Sequence, residues 1–152
     1  MEIRSTYENL VLAQLADRLN TDFYQPVIEK CEQTVVQLVI TDSQEAIMSI
    51  RNIIDARQQS LLSYLQTLAE KSSTGHDCSN CPGRCDMGHA QHLMDIKESH
   101  IAINSHISGI DMNELPDELQ QLTNLVTNLV RIEEQVLVPK IWDAQRKINV
   151  VS

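Results

Sequence analysis

The chain has 152 residues, with 21 acidic against 12 basic side chains and a formal charge of −9. A surface this acidic repels phosphate backbones and anionic headgroups, so neither nucleic acid nor a membrane surface is expected as a partner. No run of eighteen apolar residues is present, and Met1-Glu2-Ile3-Arg4 lacks the basic start and apolar run of a secretory signal, so the expected location is cytoplasmic. Aromatic residues make up 3 % of the chain and Gly and Pro number four each, while Leu, Ile, Val and Ala supply the apolar set. That composition favours helix-on-helix packing, in one domain spanning 1–152.

Taken in chain order, apolar residues first recur at Leu12, Leu15, Leu19 and Phe23, which predicts a helix, and Pro26 predicts a break after it. A second segment places Ile28, Cys31, Val35 and Leu38 at three- and four-residue steps. Cys31 falls on its apolar face, where a thiol ordinarily behaves as a small hydrophobe. Asp42 followed by Glu45 reads as a capping box that opens a long helix, whose seam runs Ile47, Ile50, Ile54, Arg57, Leu61, Tyr64, Leu68. The stretch 71–75 is small and polar and ends it. The next helix is predicted from near Asp86, along Leu93, Ile96, His100, Ile103, Ile107 and Ile110, and ends at Gly109 and Asp111-Met112-Asn113. Pro116, Asp117 and Glu118 form a good first turn for the last helix, which carries Leu122, Leu125, Leu129, Ile132 and Val136 until Pro139 kinks or ends it. The expected fold is all-α: an antiparallel four-helix bundle, with room for a short extra N-terminal helix.

Between the two central helices stand Cys78, Cys81, Cys85 and His89, within residues 71–92. Thiolates and imidazole are soft metal ligands, Pro82-Gly83 supplies a turn, and residues four apart on a helix lie roughly 6 Å from each other, so Cys85 and His89 can complete a tetrahedron begun by Cys78 and Cys81. His92 is the reserve ligand on the same face, His76 a weaker one, and Cys31 a distant one. Zinc fits three Cys and one His, an iron–sulfur cluster is the second candidate, and reduced thiols or a redox pair of Cys78 and Cys81 are the third. In a reducing compartment such a cluster favours metal over a structural disulfide.

Three polar residues fall on or beside the apolar seams: Arg57, His100 and Glu133, with Glu134 next to the last. Buried charges need partners, so the expectation is an internal network in which Glu133 or Glu134 neutralises Arg57 and accepts from His100. The sharper alternative makes these residues a core metal site. His89 and His100 are eleven residues apart on one helix, roughly 16 Å, so they cannot share one ion.

The phrase Arg131-Ile132-Glu133-Glu134-Gln135-Val136-Leu137-Val138-Pro139-Lys140-Ile141 resembles the final helix of hemerythrin-like (HHE) domains, and Glu98-Ser99-His100 with Ile103 is similar to an acid-His phrase of the helix before it. The resemblance implies a four-helix bundle, with non-haem iron on His and carboxylate ligands used for oxygen binding, oxygen or nitric-oxide sensing, or iron–sulfur repair. Leu129 stands where the family has a histidine, and no histidine lies between Ser43 and Glu70, so a full di-iron site is not expected. No phosphate-cradling Gly-rich loop, nucleophile elbow or zinc-protease phrase occurs, which leans against an enzyme and leaves the question open. The leading expectation is a small metal-binding bundle that works as an accessory, sensory or protein-interaction module. A metal-free helical scaffold that binds a protein through an exposed apolar strip is the third reading. Oligomeric state is left open.

Overall fold

The computed structural model describes residues 3–73 and 88–148, and among them the chain is helical throughout its regular structure, with no strand. A short helix, α1 (Ile3–Tyr7), precedes four long rods. The first rod joins α2 (Leu12–Leu19) through a π-turn at Asn20–Tyr24 to α3 (Gln25–Val35). The second joins α4 (Thr41–Ala56) through a π-turn at Arg57–Leu61 to α5 (Leu62–Ser73). The third is the uninterrupted α6 (His89–Ser108), and the fourth joins α7 (Pro116–Ile132) through a π-turn at Glu133–Leu137 to α8 (Val138–Ile148).

Proline does not break the chain where the sequence predicts it. Pro26 and Pro139 each sit two residues past a π-turn, inside a continuous rod. In those turns Gln25 N–H reaches back to the Asn20 carbonyl and Val138 N–H to the Glu133 carbonyl, five residues earlier. A π-turn already shifts the register of the hydrogen-bond ladder, so the donor that proline lacks falls at a disrupted point and the usual interior penalty is avoided. The π-turn of the second rod has no proline after it, but Gln58 Nε2 donates to Asn20 Oδ1 and Gln25 Oε1, both at 2.8 Å, which holds it beside the π-turn of the first rod.

The start of α4 also differs from the sequence expectation. Asp42 and Glu45 form no capping box, because the helix already begins at Thr41 and its cap residue, Ile40, makes no side-chain bond. Glu114, in the connection after α6, supplies the acceptor from outside: its carboxylate takes the N–H groups of Val39 and Ile40, the latter at 3.1 Å. A carboxylate at that position also suits the positive end of the helix dipole. Ser43, buried one turn on, accepts the Asp111 N–H at 3.0 Å and pins the same connection.

The predicted seams do enter the core. Ile47, Ile50, Ile54, Leu61 and Leu68 are buried, as are Ile96 and Ile103 of α6, Leu122, Leu129 and Ile132 of α7, and Leu15, Leu19 and Phe23 of the first rod. Each such side chain contributes about 1.5–3 kcal/mol by leaving water. The first and second rods run antiparallel, α3 against α4 and α2 against α5, and α7 packs on α3 while α8 packs on α5. The third rod is packed chiefly on α4. Toward the fourth rod it leaves an open cleft. No helix among the described residues is long and apolar enough to cross a membrane.

Candidate functional site

Glu133 is fully buried, and its two carboxylate oxygens receive four donors. Tyr24 Oη donates to Oε2 at 2.6 Å and Arg57 Nε to the same oxygen at 2.9 Å. Arg57 Nη2 donates to Oε1 at 3.0 Å, and His100 Nε2 meets Oε1 at 2.7 Å. Since an ionised carboxylate only accepts, that imidazole nitrogen carries the proton. Arg57 Nη2 also donates to Ser99 Oγ at 2.7 Å, and Ser99 passes its own proton to the Ile96 carbonyl at 2.8 Å. All four rods therefore meet at one carboxylate. The π-turns explain the convergence: Tyr24, Arg57 and Glu133 each belong to one of the three π-turns.

Burial alone would drive the Glu133 carboxyl upward, but the Arg57 charge and the His100 and Arg57 hydrogen bonds outweigh it and hold the group down at about 2. Burial works against the Arg57 cation too, and Glu133 again outweighs it, so its pKa is raised. The Tyr24 phenol is pushed well above its ordinary value, first by burial and then by the Glu133 charge. Tyr24 thus stays a donor and Arg57 and Glu133 stay an ion pair. His100 continues the network outward, with Nδ1 3.2 Å from Oε1 of the exposed Glu134.

A second cluster lies where α5 faces the start of α6. Gly88 caps α6 with φ of 70°, the left-handed region that favours glycine; an added Cβ would meet His92 only at an ordinary 3.8 Å, so the backbone conformation and not lack of space calls for glycine there. His89, the first residue of α6, is turned inward and buried, with Nδ1 2.5 Å from Tyr64 Oη. His92 stacks on the other side of this assembly, its ring 4.0 Å from that of Tyr64 and inclined by 16°. Burial pushes the Tyr64 phenol up to about 12 and lowers the His92 pKa, the latter against a weaker opposing effect of Asp95.

Of the residues expected to hold metal, His89 and His92 are thus brought together around Tyr64, while His76, Cys78, Cys81 and Cys85 lie outside the described residues. Cys31 is elsewhere. It is buried in α3 at the level of Arg51, whose Nη2 reaches Glu32 at 3.5 Å, and burial pushes its thiol up to about 12. From Arg51 to Tyr64, which His89 contacts, the rod rises roughly 20 Å, so Cys31 cannot share an ion with His89. Among the described residues no group of three or more His, Cys, Asp or Glu side chains is placed to hold a metal ion.

The residues that bring Arg57, His100, Glu133 and Glu134 together include two that sequence reasoning missed, Tyr24 and Ser99. Tyr24 was hidden because it lies one position off the seam through Leu19 and Phe23. The available signal was Pro26, in an apolar pattern that continues unbroken to Val27, Ile28 and Cys31.

Between the third and fourth rods the cleft has a volume of about 630 Å³. Its walls carry Leu93, Met94 and Ile101 of α6 opposite Val138 and Trp142 of α8, and its floor carries His100 and Glu134.

Comparison with known proteins gives no match: no family model, no curated protein and no solved structure matches this chain.

Proposed function

We propose that this protein is a helical metal-binding module in which Cys78, Cys81, Cys85 and His89 hold a zinc ion or an iron–sulfur centre at the junction of the second and third rods. The observation that carries this reading is the placement of His89. A histidine at the first position of a helix is ordinarily solvated, yet this one is buried and gripped by a tyrosine of the facing rod. Metal-ligating imidazoles are held in this manner, with one nitrogen on an outer partner that fixes the ring and the other on the ion. Here Tyr64 would be the outer partner through Nδ1 and Nε2 the ligand atom. A bound metal supplies a rigid joint between two rod ends. His92, stacked on Tyr64, backs the ring, and His76 remains the more remote alternative.

The arrangement of the rods we take to be an antiparallel four-helix bundle with α1 appended, which is as far as the hemerythrin-like resemblance extends. The iron of that family does not fit the core. Glu133, which would have to be a ligand, already accepts four hydrogen bonds on two oxygens, and the Arg57 guanidinium is the cation it faces. Oxygen binding through His100, Glu133 and Glu134 is therefore set aside, and the accessory, sensory or protein-interaction role rests on the Cys3His site.

Metal analysis and an absorption spectrum of anaerobically purified protein test the proposal. One zinc in a colourless protein, or charge-transfer absorption bleached by dithionite, supports it and distinguishes the two occupants. Cys81→Ser should lose the metal and keep its helical circular dichroism. Full metal content in that variant, or two irons retained after replacement of all three clustered cysteines, would refute it.

A further inference from the structure

The lining of the cleft between the third and fourth rods does not include His89, and its chemistry is legible from its residues. Three of its apolar residues are large and exposed: Met94 at 55 %, Ile101 at 64 % and Trp142 at 51 %. A volume of about 630 Å³ suits a small organic molecule, and clefts between helices are a common place for one.

The floor is polar and asymmetric. His100 Nε2 is committed as donor to Glu133, and its Nδ1 stands 3.2 Å from Glu134 Oε1. A protonated amine offers N–H groups and a positive charge to the Glu134 carboxylate, and the Trp142 ring in the same lining adds a face that attracts cations. Glu133 is neutralised internally by Arg57, whereas the ion-pair partner of Glu134 among the described residues is His100 alone. Lys97, exposed on the rim, is the one basic side chain in the lining and disfavours a cation there. It takes no part in the His100 and Glu134 contact, and Glu134 is the one acidic side chain of the lining.

We infer that this cleft binds a small apolar amine, its hydrocarbon or aromatic body between Met94, Ile101 and Trp142 and its ammonium group against Glu134 and His100. Trp142 is the single tryptophan of the chain, so its emission reports on the cleft directly. Titration of the full chain with octylamine, 1-octanol and octanoate, below their aggregation limits, should give a saturable change in Trp142 emission with octylamine. Affinity should be about tenfold lower for octanol and lower again for octanoate. Glu134→Gln should bring octylamine down to the octanol value while octanol binding is unchanged. Lys97→Ala should strengthen octylamine, and Ile101→Arg should weaken all three probes. Each variant alters an exposed side chain, and circular dichroism checks that it folds. The inference is overturned if no probe gives a saturable change, if octanoate binds as well as octylamine, or if Glu134→Gln leaves their ratio unaltered. It is equally overturned if Trp142 emission shifts with protein concentration alone, which would show a second copy of the chain covering the cleft.

Discussion

Arg57 and Glu133 stand 76 residues apart in the chain and meet through two parallel N–H···O bonds, from Nε at 2.9 Å and from Nη2 at 3.0 Å. Both side chains are almost wholly withdrawn from water. Breaking such a pair from one side leaves a buried charge without its counter-ion, at a cost of about 3–5 kcal/mol. Arg57→Met should therefore lower the unfolding free energy in urea by that amount, with Arg57→Lys intermediate because an ammonium cannot reproduce the fork. A loss below about 1 kcal/mol in the Met variant would show that the pair contributes no more than a surface contact.

The same carboxylate sets an acid limit. Its pKa is held down at about 2 in the folded protein, below the ordinary value near 4.5. A depressed carboxyl contributes stability that is present in full above the unfolded pKa and is lost as pH falls toward the folded one. Urea midpoints should thus be insensitive to Glu133 above about pH 5 and fall between about pH 4.5 and 2. In Glu133→Gln, overall less stable, the slope of stability against pH in that window should be shallower by close to one proton. An unchanged slope would place the titrating groups elsewhere.

Tyr64 offers a test of how His89 is held. Tyr64→Phe removes the hydroxyl 2.5 Å from Nδ1 while keeping the ring on which His92 stacks. Loss of an outer partner of this kind weakens metal binding by about 10–100-fold. Competition with a chelator should show that drop in the Phe variant, with metal stoichiometry unchanged at saturation. Equal affinities would mean that Tyr64 packs against His89 without orienting it as a ligand.

At Pro26 the stabilisation usually gained by replacing a helix-interior proline should be absent. Proline inside an ordinary helix costs about 3 kcal/mol, so replacing it should stabilise the protein by a similar amount. At Pro26 the π-turn already accommodates the missing donor, and the π-turn also delivers Tyr24 to Glu133. Pro26→Ala should accordingly change stability by less than about 1 kcal/mol. A gain near the full interior penalty would show that the proline is strained after all.

What could be read from the sequence follows from what each signal reports. The seam from Ile47 to Leu68 is an averaged property of many residues, and inserting one π-turn at Arg57–Leu61 shifts it too little to hide it. The polar residues Arg57, His100 and Glu133 stood out because charge on an apolar seam is rare. Single hydrogen bonds have no such redundancy. Nothing in Asp42 and Glu45 reveals that Glu114, 74 residues beyond Ile40, takes the capping role instead. Tyr24 and Ser99 were equally silent, since a hydroxyl is compatible with any face. For the metal-site expectation, His89 and Tyr64 are what the structure adds to the spacing, and the Cys78, Cys81 and Cys85 positions lie outside the described residues.

The gathering of four rods on Glu133 also orders events in time. Tyr24, Arg57, Ser99 and His100 are all synthesised before it, the earliest of them 109 residues ahead. Until the fourth rod emerges, Arg57 lacks the anion it pairs with in the folded protein, so closing the first three rods over it would bury an uncompensated cation. The fourth rod therefore carries the counter-charge that lets the others pack. Chains halted before it should remain open and depend on whatever keeps nascent apolar surfaces apart.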